Sequence, residues 1–205
     1  MYARSTTIRG KPENIDDGLR FVETEVRPLI ETIDGCRGMS VLVNRDTGEC
    51  IATSSWDSQE SMRASDDQLR PKRDRGSEVF EGDLQVDEWE IALMHRDHAT
   101  ADGACSRVTW AQGDAAKADE SIQQIRDSVP RIEQIDGFCS ISVLLDRESG
   151  KWCVTTTYDS REALDASRAM ADQIRAAIAD AAAMKVLEVK EYDLAMAHLH
   201  VPELV

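Results

Sequence analysis

IDGCRGMSVLVNRDTGECIATSSWDSQESMRAS, Ile33–Ser65, returns 102 positions later as IDGFCSISVLLDRESGKWCVTTTYDSREALDAS, Ile135–Ser167. The two stretches are identical at 14 of 33 positions, and several mismatches trade like for like, Asp46 for Glu148 and Trp56 for Tyr158 among them. Chance does not produce so long an ungapped match. The 205 residues are one module of ordinary domain size written twice.

Inside the repeat, Ile33-Asp34-Gly35 and Ile135-Asp136-Gly137 end a helix, the glycine supplying a left-handed residue after the last turn. A strand over Gly38–Asn44 or Ser140–Asp146 leads through a Gly-containing turn into a strand ending at Trp56 or Tyr158, which is a β-hairpin. Asp57-Ser-Gln-Glu60 and Asp159-Ser-Arg-Glu162 read as capping boxes that open a second helix. In the first copy Pro71 and Gly76 are expected to break that helix; in the second it continues through QIRAAIADAAA.

Outward from the repeat, ARSTTI (Ala3–Ile8) and CSRVTW (Cys105–Trp110), matched at the same offset, predict a first strand. Leu19, Val22, Val26, Ile30 and Ile33, with Ile122, Ile125, Val129, Ile132 and Ile135, predict a helix carrying a proline, Pro28 or Pro130, at which both copies should bend. LQVDEWEIALMH (Leu84–His95) and LEVKEYDLAMAH (Leu187–His198) form the last strand, 103 positions apart. Each module thus reads βαββαβ. The fold class is α+β: two tandem ferredoxin-like modules, residues 1–98 and 104–205, joined by a polar linker over 96–104. The central strands are apolar on both faces, so the bare sheet faces are expected to pack on each other as an intramolecular α+β barrel, a covalent pseudo-dimer.

With WDSQESMRAS and YDSREALDAS following those glycines, and with the long last strand, the chain resembles the antibiotic biosynthesis monooxygenase family of dimeric α+β barrels. The resemblance covers both modules. It implies cofactor-independent oxygenation of a hydrophobic aromatic or quinol small molecule, with no cofactor and with a pocket aromatic at Trp56 and Tyr158. Many members carry a histidine nine residues after that aromatic, an iron ligand in haem-degrading relatives. Ser65 and Ser167 stand there, which disfavours haem degradation.

The residues offer few other candidates. Trp110 and Trp152, whose counterparts at this offset are Ile8 and Cys50, could each line one pocket, or all four aromatics could be core. His95 and His198 are equivalent, and alternation puts them on the face of Trp89, Ile91 and Leu93, or of Tyr192, Leu194 and Met196. Either could act as a base near neutral pH, or simply sit at a strand end. His95-Arg-Asp-His98 and His198-Leu-His200 differ in spacing and show no carboxylate or thiolate partner, so no metal site is expected.

A net charge of -15 argues against nucleic acid and anionic membranes. No stretch approaches the roughly 20 apolar residues of a membrane span, and MYARSTTIRG lacks a signal-peptide core, so a cytoplasmic location is expected. Five cysteines, odd in number and unmatched between the copies, read as reduced packing residues. An apolar patch left on the helices would permit a further dimer. The competing functional reading is a non-catalytic barrel, stress-type or small-molecule-binding.

Overall fold

The computed structural model describes residues 1–204, Leu199 by its backbone alone. Strands β1 (Tyr2–Arg9), β2 (Cys36–Asn44), β3 (Glu49–Trp56) and β4 (Asp83–Arg96) belong to the first repeat. Strands β5 (Cys105–Gln112), β6 (Phe138–Asp146), β7 (Lys151–Tyr158) and β8 (Lys185–Leu199) belong to the second. They hydrogen-bond in one closed order, β1-β3-β2-β8-β5-β7-β6-β4. Within it each repeat keeps the ferredoxin-like sequence of last, first, third and second strand. The fold is α+β, as the doubled sequence predicted.

The chain forms two compact units that do not coincide with the repeats. Unit 1 comprises Met1–Trp89 and Leu194–Val201; unit 2 comprises Glu90–Asp193 and Pro202–Val205. Each therefore includes part of the other repeat's last strand. In unit 2, Glu90–Arg96 pairs antiparallel with β6. In unit 1, His200 donates its backbone N–H to the Arg37 carbonyl at 2.8 Å.

The first helix differs between copies. In unit 2, α5 (Ala118–Ile132) stays α-helical with Pro130 in its last turn. In unit 1, α1 (Ile15–Phe21) passes into a π-helical turn, Val22–Val26, before α2 (Arg27–Ile30), which holds Pro28 in its first turn. Leu19, Val22 and Val26 match Ile122, Ile125 and Val129 at 103 positions, whereas Pro28 and Ile33 match Pro130 and Ile135 at 102. The first copy thus carries one extra helical residue, and the π turn absorbs it.

The second helix of unit 1 is not broken as its sequence suggested. After α3 (Gln59–Ala64), α4 runs from Asp66 to Phe80 through both Pro71 and Gly76. Asp66 in the first turn is gripped by Arg70 and Arg73. Gly76 is buried where an added Cβ would come within 3.3 Å of Ile8, so it serves close packing rather than a stop. In unit 2 the counterparts are α6 (Arg161–Ala166) and α7 (Arg168–Ala181).

The cap of this helix lies one residue later than expected. Ser58, not Asp57, accepts the Ser61 N–H at 3.0 Å, and Ser160 accepts that of Ala163 at 3.2 Å. Asp57 and Asp159 are thereby free for other partners. The helix-ending glycines behave as predicted, with φ of 81° at Gly35 and 74° at Gly137.

Candidate functional site

The strand registers align β1 with β5 one residue away from the sequence match. Arg4 faces Ser54 and Arg107 faces Thr156, while Ser54 and Thr156 are themselves equivalent. Arg4 and Arg107 therefore correspond, 103 positions apart, and both are buried. Comparison at 102 set Arg4 against Ser106 and hid the pair. A charged residue recurring in an otherwise apolar and Thr-rich strand was the available signal, and the last strand already carried the 103 offset.

Each arginine is held by the serine nine residues after Trp56 or Tyr158. The Arg107 guanidinium donates to Ser167 Oγ at 3.0 Å, to the Leu164 carbonyl at 2.8 Å, and to Glu191 Oε1 from Nη2 at 2.9 Å and from Nε at 3.1 Å. Arg4 donates to Ser65 Oγ at 3.2 Å and to Glu88 Oε1 at 2.8 Å. Burial works to raise the Glu88 carboxyl, but hydrogen bonds from Arg4 and Arg63 outweigh it and keep that group below its ordinary range. The bonds of Arg107 use all three nitrogens of its guanidinium. The same guanidinium lies 5.7 Å from the Tyr158 ring centre.

Beside Arg107, unit 2 contains a cavity of about 90 Å³. Thr109, Val154, Thr156 and Tyr158 contribute from the sheet, and isoleucines such as Ile125 of α5 and Ile174 of α7 from the helices. Tyr158 is fully buried, and its hydroxyl has no hydrogen-bond partner among the described residues. An unmet hydroxyl in an apolar surround costs about 1–3 kcal/mol. Such a residue in the wall of a cavity is the kind of polar group that orients a ligand.

The corresponding cavity of unit 1 is about 70 Å³, and aromatic rings crowd it. Phe80 and Phe21 line it, and an added Cβ on Gly18 would fall 2.1 Å from the Phe80 ring. In unit 2 the equivalents of Gly18 and Phe80 are Ser121 and Ala182. Cys50 also lines the unit 1 cavity, its thiol pushed up to about 12 by burial and so unreactive near neutral pH.

Of the six residues singled out from sequence, Tyr158 alone lines either cavity. Trp56 is fully buried in the unit 1 core, where its Nε1 donates to Ser54 Oγ at 3.0 Å. Trp152 packs in the unit 2 core. Trp110, equivalent to Thr7 rather than Ile8, lies on the opposite side of β5 from the lining residues Thr109 and Ala111, edge-on to Tyr192.

His95 does not share a face with Trp89 and Ile91. A bulge at Ala92 shifts the β4 register, so Leu93 and His95 align with Val143 and Ile141 of the unit 2 core, whereas Ile91 aligns with Leu144. Its Nε2 and Nδ1 lie 2.6 Å from Glu133 and 3.1 Å from Glu203. His198 is exposed, 3.6 Å from Glu31 and edge-on to His200. Among the described residues, one group brings metal-ligand atoms together away from both cavities: His98, Cys139 and Asp159.

A family model for antibiotic biosynthesis monooxygenases matches residues 1–68 and 108–179, one segment in each repeat. The chain belongs to the antibiotic biosynthesis monooxygenase family. It is 47% identical over 206 residues to an uncharacterized protein of Mycobacterium tuberculosis H37Rv, covering 100% of this chain and 92% of the relative. A second protein of that strain is 44% identical over 207 residues, covering 100% and 88%. Among solved structures, an anthrone oxidase-like protein aligns with TM-score 0.69 at 15% identity, over 100% of this chain and 94% of that one. A monooxygenase-like protein from Listeria innocua aligns with TM-score 0.54 at 11% identity, over 95% and 94%. At such identities the structural likeness is one of fold.

Proposed function

We propose that the unit 2 cavity is the working pocket of a cofactor-independent oxygenase, taking a hydrophobic aromatic molecule whose hydroxyl or enolisable carbonyl ionises easily, such as a quinol or an anthrone. The observation that carries this reading is that Tyr158, whose buried hydroxyl has no partner among the described residues, lines an apolar cavity next to a buried arginine. Family membership and the likeness to an anthrone oxidase-like protein support it.

The lining has no carboxylate or imidazole among the described residues. The substrate must therefore lose its proton to solvent, and Arg107 and the Tyr158 hydroxyl would stabilise the anion that remains. That anion passes an electron to dioxygen. For an anthrone, the CH2 carbon becomes a carbonyl, one oxygen atom entering the product and the other leaving as water. At about 90 Å³ the cavity is smaller than the roughly 150 Å³ that admits benzene, so a fused-ring substrate enters only as side chains such as Met184 and Ile178 give way.

The donor set does not suit haem iron. Where haem-degrading relatives place their histidine, the Ser65 and Ser167 hydroxyls are buried, donating to the Met62 and Leu164 carbonyls and accepting from arginine.

The test is oxygen uptake by the full chain with a panel of quinols and anthrones. Uptake should fall by about 100-fold in Tyr158→Phe, as when one preorganised donor to an anion is removed. Binding without uptake would mark a non-catalytic ligand-binding barrel. Neither binding nor uptake across the panel would end the proposal.

A further inference from the structure

We propose that His98, Cys139 and Asp159 form a site in unit 2 for a divalent transition-metal ion of the zinc type. The three residues come from separate stretches. His98 follows the end of β4, Cys139 lies in β6, and Asp159 is the residue after β7. Their ligand atoms all lie within 4.8 Å of one another. Asp159 Oδ1 is 2.9 Å from His98 Nε2 and 3.2 Å from Cys139 Sγ. A tetrahedral zinc site with bonds of about 2.0–2.3 Å needs its ligand atoms roughly 3.3–3.7 Å apart. The two distances to Asp159 would widen by a few tenths of an ångström to admit the ion, with the His98 and Cys139 ligand atoms already within 4.8 Å of each other. The ion would replace the thiol proton and any proton on Nε2.

Several features hold this constellation ready. His98 Nδ1 is 2.8 Å from an Asp97 carboxylate oxygen, the outer partner that fixes ring orientation and leaves Nε2 for a metal. The Asp97 N–H donates to the Cys139 carbonyl and the Asp159 N–H to the Gly137 carbonyl, both at 2.8 Å, so backbone bonds tie the ligand-bearing segments together. Cys139 is the extra residue of a β-bulge, since Phe138 pairs with Tyr158 and Ser140 with Thr157. Bulges re-aim side chains beside functional sites. Histidine and aspartate are exposed, giving an ion a route in and leaving the fourth position for water.

The first repeat offers the contrast. Asp57 corresponds to Asp159 and Arg37 to Cys139, and the Arg37 guanidinium grips Asp57 through two bonds of 2.5 and 2.8 Å. A covalently attached cation fills the place that a dication would take in unit 2. The mixed N, S and O donor set favours zinc or cobalt over magnesium or calcium, which prefer oxygen alone.

The test is titration of Co2+ into the metal-stripped full chain, followed by absorption. One equivalent should give thiolate-to-cobalt charge transfer in the near ultraviolet and the visible bands of a four-coordinate ion, and Zn2+ should displace it. Cys139→Ser should abolish the charge-transfer band, and His98→Ala should weaken binding at least tenfold. Asp97→Asn, which leaves all three ligands and any fold they support, should weaken it by roughly 10–100-fold. Absence of the band at millimolar Co2+, or a band that survives Cys139→Ser and so belongs to another thiol, would overturn the assignment.

Discussion

Unit 1 and unit 2 are built on the same strands and helices and each keeps a cavity beside its arginine, but phenylalanines line the smaller one in unit 1 and none lines that of unit 2. The difference lies in a few exchanges of bulk. Phe80 under Gly18 in unit 1 becomes Ala182 with Ser121 in unit 2, and Phe21 becomes Gln124. The shared framework of arginine, serine and glutamate persists in both. A common polar skeleton thus leaves the size and lining of the space beside it to be set by the neighbouring side chains.

The strongest way to break the comparison is to strip a ring from the aromatic-lined side. Phe80→Ala should destabilise the protein by about 3–5 kcal/mol, the range for a buried aromatic cut to alanine, seen as a lowered urea midpoint. The reciprocal change, Ser121→Gly with Ala182→Phe, should abolish ligand binding in unit 2 while leaving circular dichroism unchanged. Retained binding would show that the missing ring is not what opens the site.

Next in size is the arginine. Arg107→Met should cost about 3 kcal/mol, the low end for breaking a buried ion pair. Glu191 keeps Arg168 at 2.9 Å and is partly exposed. Arg4→Met should cost a similar amount in the same urea assay, because Glu88 keeps Arg63. If only one substitution destabilises, the two skeletons are not energetically equivalent.

Tyr158→Phe should be neutral or stabilising by on the order of 1 kcal/mol, since it removes a buried hydroxyl without a partner, even as oxygen uptake falls. Trp56→Phe, at the equivalent position, should go the other way in a thermal melt, because the indole N–H is already satisfied by Ser54.

The smallest effect depends on pH. Asp66 has no counterpart in unit 2, where Arg168 stands. The hydrogen bond from Arg70, and against burial those from Arg73 and the charge of Arg4, hold its carboxyl below its ordinary 3.8. A depressed carboxylate contributes stability above its unfolded value and loses it as pH falls through the folded one. Asp66→Asn should therefore cost up to about 1 kcal/mol at neutral pH. The gap to the unsubstituted protein should close well below pH 3.8.

Much of the fold was legible because a repeat doubles every signal. The hairpin turns, the helix-ending glycines and the long last strand each occur twice and agree. What escaped depended on single-residue shifts. An offset of 102 across β1 concealed the paired arginines, and the bulge at Ala92 carried His95 away from the face that alternation assigned it. Pro71 and Gly76 read as breakers because local propensity does not register the ion pairs of Asp66 or the close approach of Ile8. Tyr158 was visible as an aromatic at the end of its strand, but its lack of a partner was not. That property belongs to the cavity, which exists only once β7 and α7 are packed.

Because each compact unit includes part of the other repeat's last strand, the chain fixes a stoichiometry of one copy of each kind. In a symmetric homodimer every mutation appears at both sites, so a residue that braces one half must also serve in the other. Fusion removes that constraint. One copy is free to accumulate phenylalanines around its cavity, while the other replaces them with smaller or polar side chains.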